Sequence, residues 1–378
     1  MKYRIKVPAR INILGNPSDA NEGDFATISA AIDLYAGAVL EPADNIILEM
    51  LEDENAAQAV TKIAHSTKEI PLPYDGQLDL LKGAINRLHQ FSPEFREKLE
   101  HQGIRIAVWT KVPRQSGMGG SSLFVIATLV GLRTFYQLDP ALHNDYVIAE
   151  LTQRVEAKEL NIACGFADRY VPLFGGLAYL DYRGKLHHKK IFEEPYVTYE
   201  RLDPWMNNLT LVAICTGIQH DSGDVHRPMR TRYLEEHAAW SQRGGDPPPM
   251  VQFMSTAWET AWRGKIALVQ NDMPTFGQLM IENHEAVNAM MTYCRFEGGA
   301  GWANNMLIET ALENGALGAK LTGAGQGGSV FALVPPGEEE KFKGIWQAAA
   351  QAADLDRAFI YQPSITKLGA TIEPGKST

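Results

Sequence analysis

The segment Pro113-Arg114-Gln115-Ser116-Gly117-Met118-Gly119-Gly120-Ser121-Ser122 runs unbroken into an uncharged apolar stretch. It constrains the fold more than any other part of the chain. Glycines at 117, 119 and 120 let backbone N–H groups converge on one point with no Cβ in the way. The apolar pattern predicts a helix over residues 123–136. The positive end of that helix would face the same point, so an anion such as a phosphate is the natural guest. Ser121 and Ser122 stand where hydroxyls reach a phosphate oxygen or a divalent cation. The plainer reading is a glycine-rich strand-to-helix turn with a serine cap. The glycine spacing is not that of the P-loop.

Two further segments carry chemistry. Glu156 falls near the end of a helix predicted over residues 145–160, and Ile162-Ala163-Cys164-Gly165 breaks it before Asp168, expected in a glycine-bearing loop. Two carboxylates so placed can share a phosphate, one holding Mg²⁺ and the other orienting a hydroxyl. Two solvated charges are the plainer reading. The stretch Lys320-Leu321-Thr322-Gly323-Ala324-Gly325-Gln326-Gly327-Gly328-Ser329 places four glycines in six positions between two strand-like runs. A hairpin needs one or two glycines. Four imply that a ligand or another backbone approaches closely.

Bulk properties bound the partners. At 378 residues the chain exceeds one ordinary core and suggests two domains. A formal net charge of −10 argues against a nucleic-acid or acidic-membrane partner, yet leaves a nucleotide open. Cys164, Cys215 and Cys294 are odd in number and widely spaced, which fits a reducing, cytoplasmic setting without a cysteine zinc site. The N-terminus lacks the apolar run of a signal peptide. The longest uncharged run, residues 115–132, is half glycine and serine at its start and too short of apolar residues for a membrane span.

Strands are predicted over residues 3–7 and 11–14 (interrupted at Pro8), 28–40, 46–51, 104–108, 175–180 and 209–215, with a last one at 358–361. A helix is predicted over 77–90, a loop over 243–249, and helices dominate 251–315. Residues 320–334 form a hairpin around the glycine loop. Strands and helices alternate without a regular βαβ period, which favours α+β.

Together with Val7-Pro8-Ala9-Arg10-Ile11-Asn12-Ile13-Leu14-Gly15-Asn16-Pro17-Ser18-Asp19, these segments resemble the three signature motifs of the GHMP kinase superfamily, in order and across nearly the whole chain. The resemblance implies a two-domain fold. Residues 1–205 would form an N-terminal domain like ribosomal protein S5 domain 2, and 206–378 a C-terminal ferredoxin-like α/β sandwich. It implies ATP and Mg²⁺, with Ser122 and Glu156 as metal ligands. Asp168 would be the catalytic base or hydroxyl-orienting group, and Arg10 a cation near the transferring phosphate, with Lys6 a weaker substitute. Pro113, Gly117, Met118, Gly119, Gly120, Ser121 and Ser122 would bind the nucleotide. Asn16, Ser18 and Asp19 would contact the acceptor, with Gly323, Gly325 and Gly327 closing the site.

Many members carry Gly-Glu-His where this chain has Gly15-Asn16-Pro17. The present pattern, with Asp221-Ser222-Gly223-Asp224-Val225-His226 and Arg230, Arg232, Tyr233 and Leu234, is similar to the glucuronokinase branch. That implies a small-molecule sugar substrate and a sugar 1-phosphate product, made by a monomer or homodimer. A uronic acid needs a cation for its carboxylate, and Arg169, Arg227, Arg230 and Arg232 are candidates; the last three also fit a solvated helix face. A heptose or mevalonate-pathway kinase and a sugar-sensing binder are the alternatives. His187-His188, His220 and His226 are expected at the surface rather than as metal ligands.

Overall fold

The computed structural model describes residues 2–20, 25–185, 189–205, 209–219 and 222–375. His187, His188, His220 and Asp221 lie outside them. Strand β1 (Tyr3–Leu14) pairs antiparallel with β2 (Ala26–Ala43) from Tyr3↔Leu40 onward. From Val7 onward β1 is buried on both faces, as its near-continuous apolar run requires. The expected break at Pro8 is instead a register shift between Pro8 and Ala9. An irregularity there tolerates a residue that has no N–H to give the ladder.

β3 (Ile46–Leu51) pairs with β4 (Ala59–His65) and runs parallel to β5 (Gly103–Thr110), which in turn pairs with the outer half of β2. β6 (Leu177–Asp181) takes the inner half of β2, and β7 (Thr198–Arg201) pairs with β6. β2 is long enough to serve two partners. β4 escaped the sequence reading because its residues alternate only between half-buried and exposed.

Helices α1 (Asp79–Phe91), α2 (Pro93–His101), α3 (Gly120–Phe135), α4 (Asp145–Arg154) and α5 (Ala167–Phe174) belong to this half of the chain. α3 lies on β1 and β2, and Gly131 lets it approach, since a Cβ there would stand 2.5 Å from Leu40. The helix predicted to reach residue 160 leaves α geometry at 154. Val155–Glu159 form one π turn, in which Leu160 N–H donates to the Val155 carbonyl.

The second sheet runs β11 (Phe359–Tyr361), β8 (Leu211–Cys215), β10 (Ser329–Leu333), β9 (Gly318–Thr322), antiparallel throughout. Helices α6 (Ser222–Arg243), α7 (Pro249–Val269), α8 (Met273–Tyr293), α9 (Trp302–Glu313) and α10 (Glu339–Ala352) complete this half. Phe342 and Trp346 of α10 pack on Val212, Ile214 and Val330. Phe359–Tyr361 is not the last strand. β12 (Thr371–Pro374) returns to the first sheet and pairs with β1, Tyr3↔Pro374. α7 also packs on β2 and β1, and α8 on β1, so Ala261 and Phe276 share one core with Ile11 and Ile28. The result is a mixed α/β fold in two parts, with the hairpin of β9 and β10 set against β1. No described helix is long and apolar enough to cross a membrane.

Candidate active site

The glycine segment expected to receive an anion leads into the start of α3. Its N-cap is Gly119, in the left-handed region with φ 79°, and it carries no capping side chain. α2, α4 and α8 are capped instead by Ser92, Asn144 and Asp272. A helix with a bare N-cap leaves its first-turn amides for a ligand. The serine cap suggested by the plainer reading does not form. Ser121 and Ser122 lie inside the helix, and the Ser122 hydroxyl donates to Glu156 Oε2 at 2.8 Å.

Glu156, in the π turn, is almost fully buried. The same Oε2 takes Nη2 of Arg169, whose Nη1 donates to the Gly165 carbonyl at 2.8 Å. Among the described residues, the hydrogen bonds to Glu156 fall on Oε2. Asp168 is the second residue of α5, not a loop residue as expected. Its Oδ1 accepts from Arg10 Nε at 2.7 Å and pairs with Nη2 at 2.5 Å; its Oδ2 lies 3.6 Å from Arg169. Burial pushes the Asp168 carboxyl upward, but the Arg10 and Arg169 charges outweigh it and hold the group below its ordinary range. Arg10 also donates from Nη1 to the Gly117 carbonyl at 2.5 Å, tying the carboxylate to the cradle.

Asp19 holds α5 in place. Its Oδ2 accepts the N–H groups of Phe166 and Ala167, each at 3.1 Å, and so caps that helix from far away in sequence. Burial and the Asp168 charge raise its carboxyl above the ordinary value. A Cβ on Gly165 would collide with this carboxylate. The two glycine loops meet backbone to backbone. A Cβ on Gly117 would stand 2.5 Å from the Thr322 carbonyl oxygen, and one on Gly323 2.6 Å from the Gly117 Cα. Both glycines have positive φ, 73° and 84°. The glycine density at 323–328 therefore serves a backbone approach. Thr322 in turn accepts Asn12 N–H at 3.0 Å, linking the loop to β1.

Arg10, Asn16, Asp19, Pro113, Gly117, Gly119, Gly120, Ser121, Ser122, Glu156, Asp168 and Gly323 converge on one cavity of about 680 Å³. Met118, Ser18 and Gly325 do not line it. Met118 is buried under the Tyr361 hydroxyl, Ser18 donates to the Ala26 carbonyl, and Gly325 faces Met291 and Ala300. Gly327 approaches Ile218, and Lys6 lies exposed over the Tyr35 ring. None of Arg227, Arg230 and Arg232 lines the cavity; Arg232 is committed to Glu236 and Tyr293, as the helix-face reading had it. His226 does line it, contrary to the surface expectation. The sequence reading missed the opposite wall, where Met50, Leu78, Leu80, Val112 and Phe124 form an apolar flank. Leu78 signals nothing in sequence, although it adopts φ 54° at the start of α1. Among the described residues no cluster of His, Cys, Asp and Glu is arranged as a metal site.

A family model described as GHMP kinases N terminal domain matches residues 79–176, and one described as GHMP kinases C terminal matches 303–352. The chain is 29% identical to the probable glucuronokinase 2 of Arabidopsis thaliana over 88% of its own length and 84% of the relative's. It is 25% identical to the D-glycero-alpha-D-manno-heptose 7-phosphate kinase of Campylobacter jejuni over 97% of both chains. The crystal structure of Lactococcus lactis galactokinase complexed with galactose superposes with a TM-score of 0.73 at 18% identity, over 98% of this chain and 95% of that one. Fold and relatives together define an ATP-dependent phosphotransferase with a hydroxyl acceptor. The chain carries matches to both the N-terminal and the C-terminal GHMP kinase domain models, and the relatives it resembles are sugar kinases.

Proposed function

We propose that this chain is an ATP-dependent sugar kinase that phosphorylates the anomeric hydroxyl of a uronic acid or a related sugar, giving a sugar 1-phosphate. The observation that carries the catalytic reading is the Arg10 side chain, which holds Asp168 and the cradle loop at once. Phosphoryl transfer needs positioning and charge neutralisation more than covalent work. The α3 amides receive the phosphates, and Arg10 lies beside the group in transfer. Asp168 Oδ2 accepts the hydrogen bond of the acceptor hydroxyl. Two guanidinium groups hold this carboxylate ionised and make it a weak base, so it orients the hydroxyl and takes the proton late. Both carboxylates stand in place, which speaks for an enzyme rather than a sensor.

Mg²⁺ fits the residues present. The Ser122 hydroxyl and Glu156 Oε1 are hard oxygen donors beside the cradle, the kind this ion takes while keeping several waters. When bound it neutralises phosphate charge. The uronic acid rests on the 29% identical glucuronokinase relative, with Arg169 as the acceptor-side cation and His226 as a further polar group of the cavity wall. Three free cysteines fit work in a reducing cytoplasm. The test is ADP release with Mg·ATP across uronic acids, hexoses, heptoses and mevalonate. Turnover with a uronic acid, abolished in Asp168→Ala, supports the proposal; preference for a heptose or mevalonate replaces the acceptor; no turnover with any sugar refutes it.

A further inference from the structure

Lys320 is fully buried on β9, just ahead of the glycine loop, and among the described residues no carboxylate pairs with it. Its Nζ donates to the Asn16 side-chain oxygen at 2.7 Å, to the Leu321 carbonyl at 2.9 Å and to the Asn12 carbonyl at 3.4 Å. Below about pH 7 Lys320 is an ammonium and can only donate; above it the neutral amine still has two protons to give, and its shortest contact is the one to Asn16 Oδ1. The Asn16 amide must therefore turn its oxygen toward Lys320 and its NH₂ away. That NH₂ is buried and has no hydrogen-bond partner among the described residues, although Asn16 lines the cavity. The backbone of Asn16 is fixed as well, since Asn283 donates to its carbonyl at 3.3 Å. An orphaned buried donor is costly, and a substrate oxygen removes that cost on binding.

We propose that Lys320 is a positioning residue for the acceptor: by taking the Asn16 amide oxygen it fixes the amide NH₂ as a donor in the cavity, where it binds an oxygen of the sugar. The inference rests on the sugar-kinase reading and deepens it. Asn16 touches the acceptor, and Lys320 acts only through Asn16. A site built around a fixed donor rejects a molecule with no oxygen to meet it, because the donor is left unpaired. A purely structural lysine would instead serve the glycine loop. That loop abuts the nucleotide cradle, so its loss would show on ATP.

The experiment is steady-state kinetics on the full chain with the sugar that the wild type phosphorylates. Variants are Lys320→Met, Asn16→Ala, the double variant and Asn16→Asp. Lys320→Met is expected to raise the acceptor KM about tenfold, leave the ATP KM within about twofold, and add nothing in the Asn16→Ala background. Equal movement of both KM values, or full additivity with Asn16→Ala, overturns the inference. If Lys320→Met does not fold, Asn16→Asp decides. It keeps a partner for Lys320 but offers an acceptor in place of the NH₂, and an unchanged acceptor KM overturns the inference. A wild type that phosphorylates no sugar removes the sugar-kinase reading and this inference with it, an outcome distinct from loss of the inference alone.

Discussion

Arg10 grips Asp168 through Nε and Nη2 on one carboxylate oxygen and gives its remaining nitrogen to the Gly117 carbonyl. A forked guanidinium can do this and an ammonium cannot. Arg10→Lys should therefore behave as a loss. We expect kcat to fall by about 10²–10³, close to the effect of Asp168→Asn, because a misplaced orienting group costs that much. If the two losses multiply in the double variant, they are independent and the coupling is refuted.

Glu156→Gln should separate metal handling from folding. The change leaves Arg169 buried beside a neutral amide, and removing one partner of a buried ion pair costs about 3–5 kcal/mol. Urea denaturation should show that loss, and the Mg²⁺ concentration for half-maximal rate should rise several-fold. Lost stability with an unchanged Mg²⁺ requirement would leave Glu156 a purely structural partner of Arg169.

The glycine contact between the two loops gives a sharper expectation. Gly323→Ala places a methyl against the Gly117 backbone at a position with φ 84°. Both effects push the loops apart, at a cost of about 1–3 kcal/mol. The ATP KM should rise about tenfold. Gly337→Ala, at φ 89° with open space around it, supplies the control for backbone strain alone; equal ATP effects in the two variants would remove the loop contact from the explanation.

Glycine explains why so much of the site was legible. Gly117, Gly119 and Gly323 have functions visible in their identity, since positive φ demands them and, at 117 and 323, close approach as well; Gly120 has helical backbone and room for a Cβ. Asp168 was visible as a carboxylate but not as a helical residue. α5 has eight residues with Pro172 inside, and its cap comes from Asp19, 148 residues away from Ala167. No window of sequence contains that pairing. The Asn16–Lys320 contact spans 304 positions and was equally invisible. α2 is different: Ser92 followed by Pro93 and Glu94 is a local start signal that a stricter reading would have used. β12 has none, because none of its residues is buried and backbone pairing with β1 holds it in place.

Asp19 offers a test of that long-range cap. Asp19→Asn retains one acceptor oxygen but loses the charge, and a lost or weakened cap costs about 0.5–2 kcal/mol. Because α5 carries Asp168, kcat should drop at least as clearly as stability. Stability lost at constant kcat and constant acceptor KM would mean that the cap holds the helix without positioning its chemistry.

Burial lowers the Lys320 ammonium from its ordinary 10.5 to about 7, and this has a consequence for stability against pH. Between those values the unfolded chain keeps a proton that the folded chain has released, so unfolding becomes harder as pH rises. Below about 7 both states hold the proton and the full cost of the buried charge is present. The window is best read between about 7 and 9, because the Cys164 thiol, raised by burial from 9.0 to about 12, works in the opposite direction above that. Wild-type stability minus that of Lys320→Met should rise by up to about 1.4 kcal/mol per pH unit in this range. His284, lowered by burial and by the Lys320 charge to about 4, stays neutral throughout. Chemical denaturation at several pH values measures the slope. A flat difference would mean that the ammonium is kept charged in the folded protein, and its three oxygen partners, Asn16 among them, would then be strong enough to offset burial.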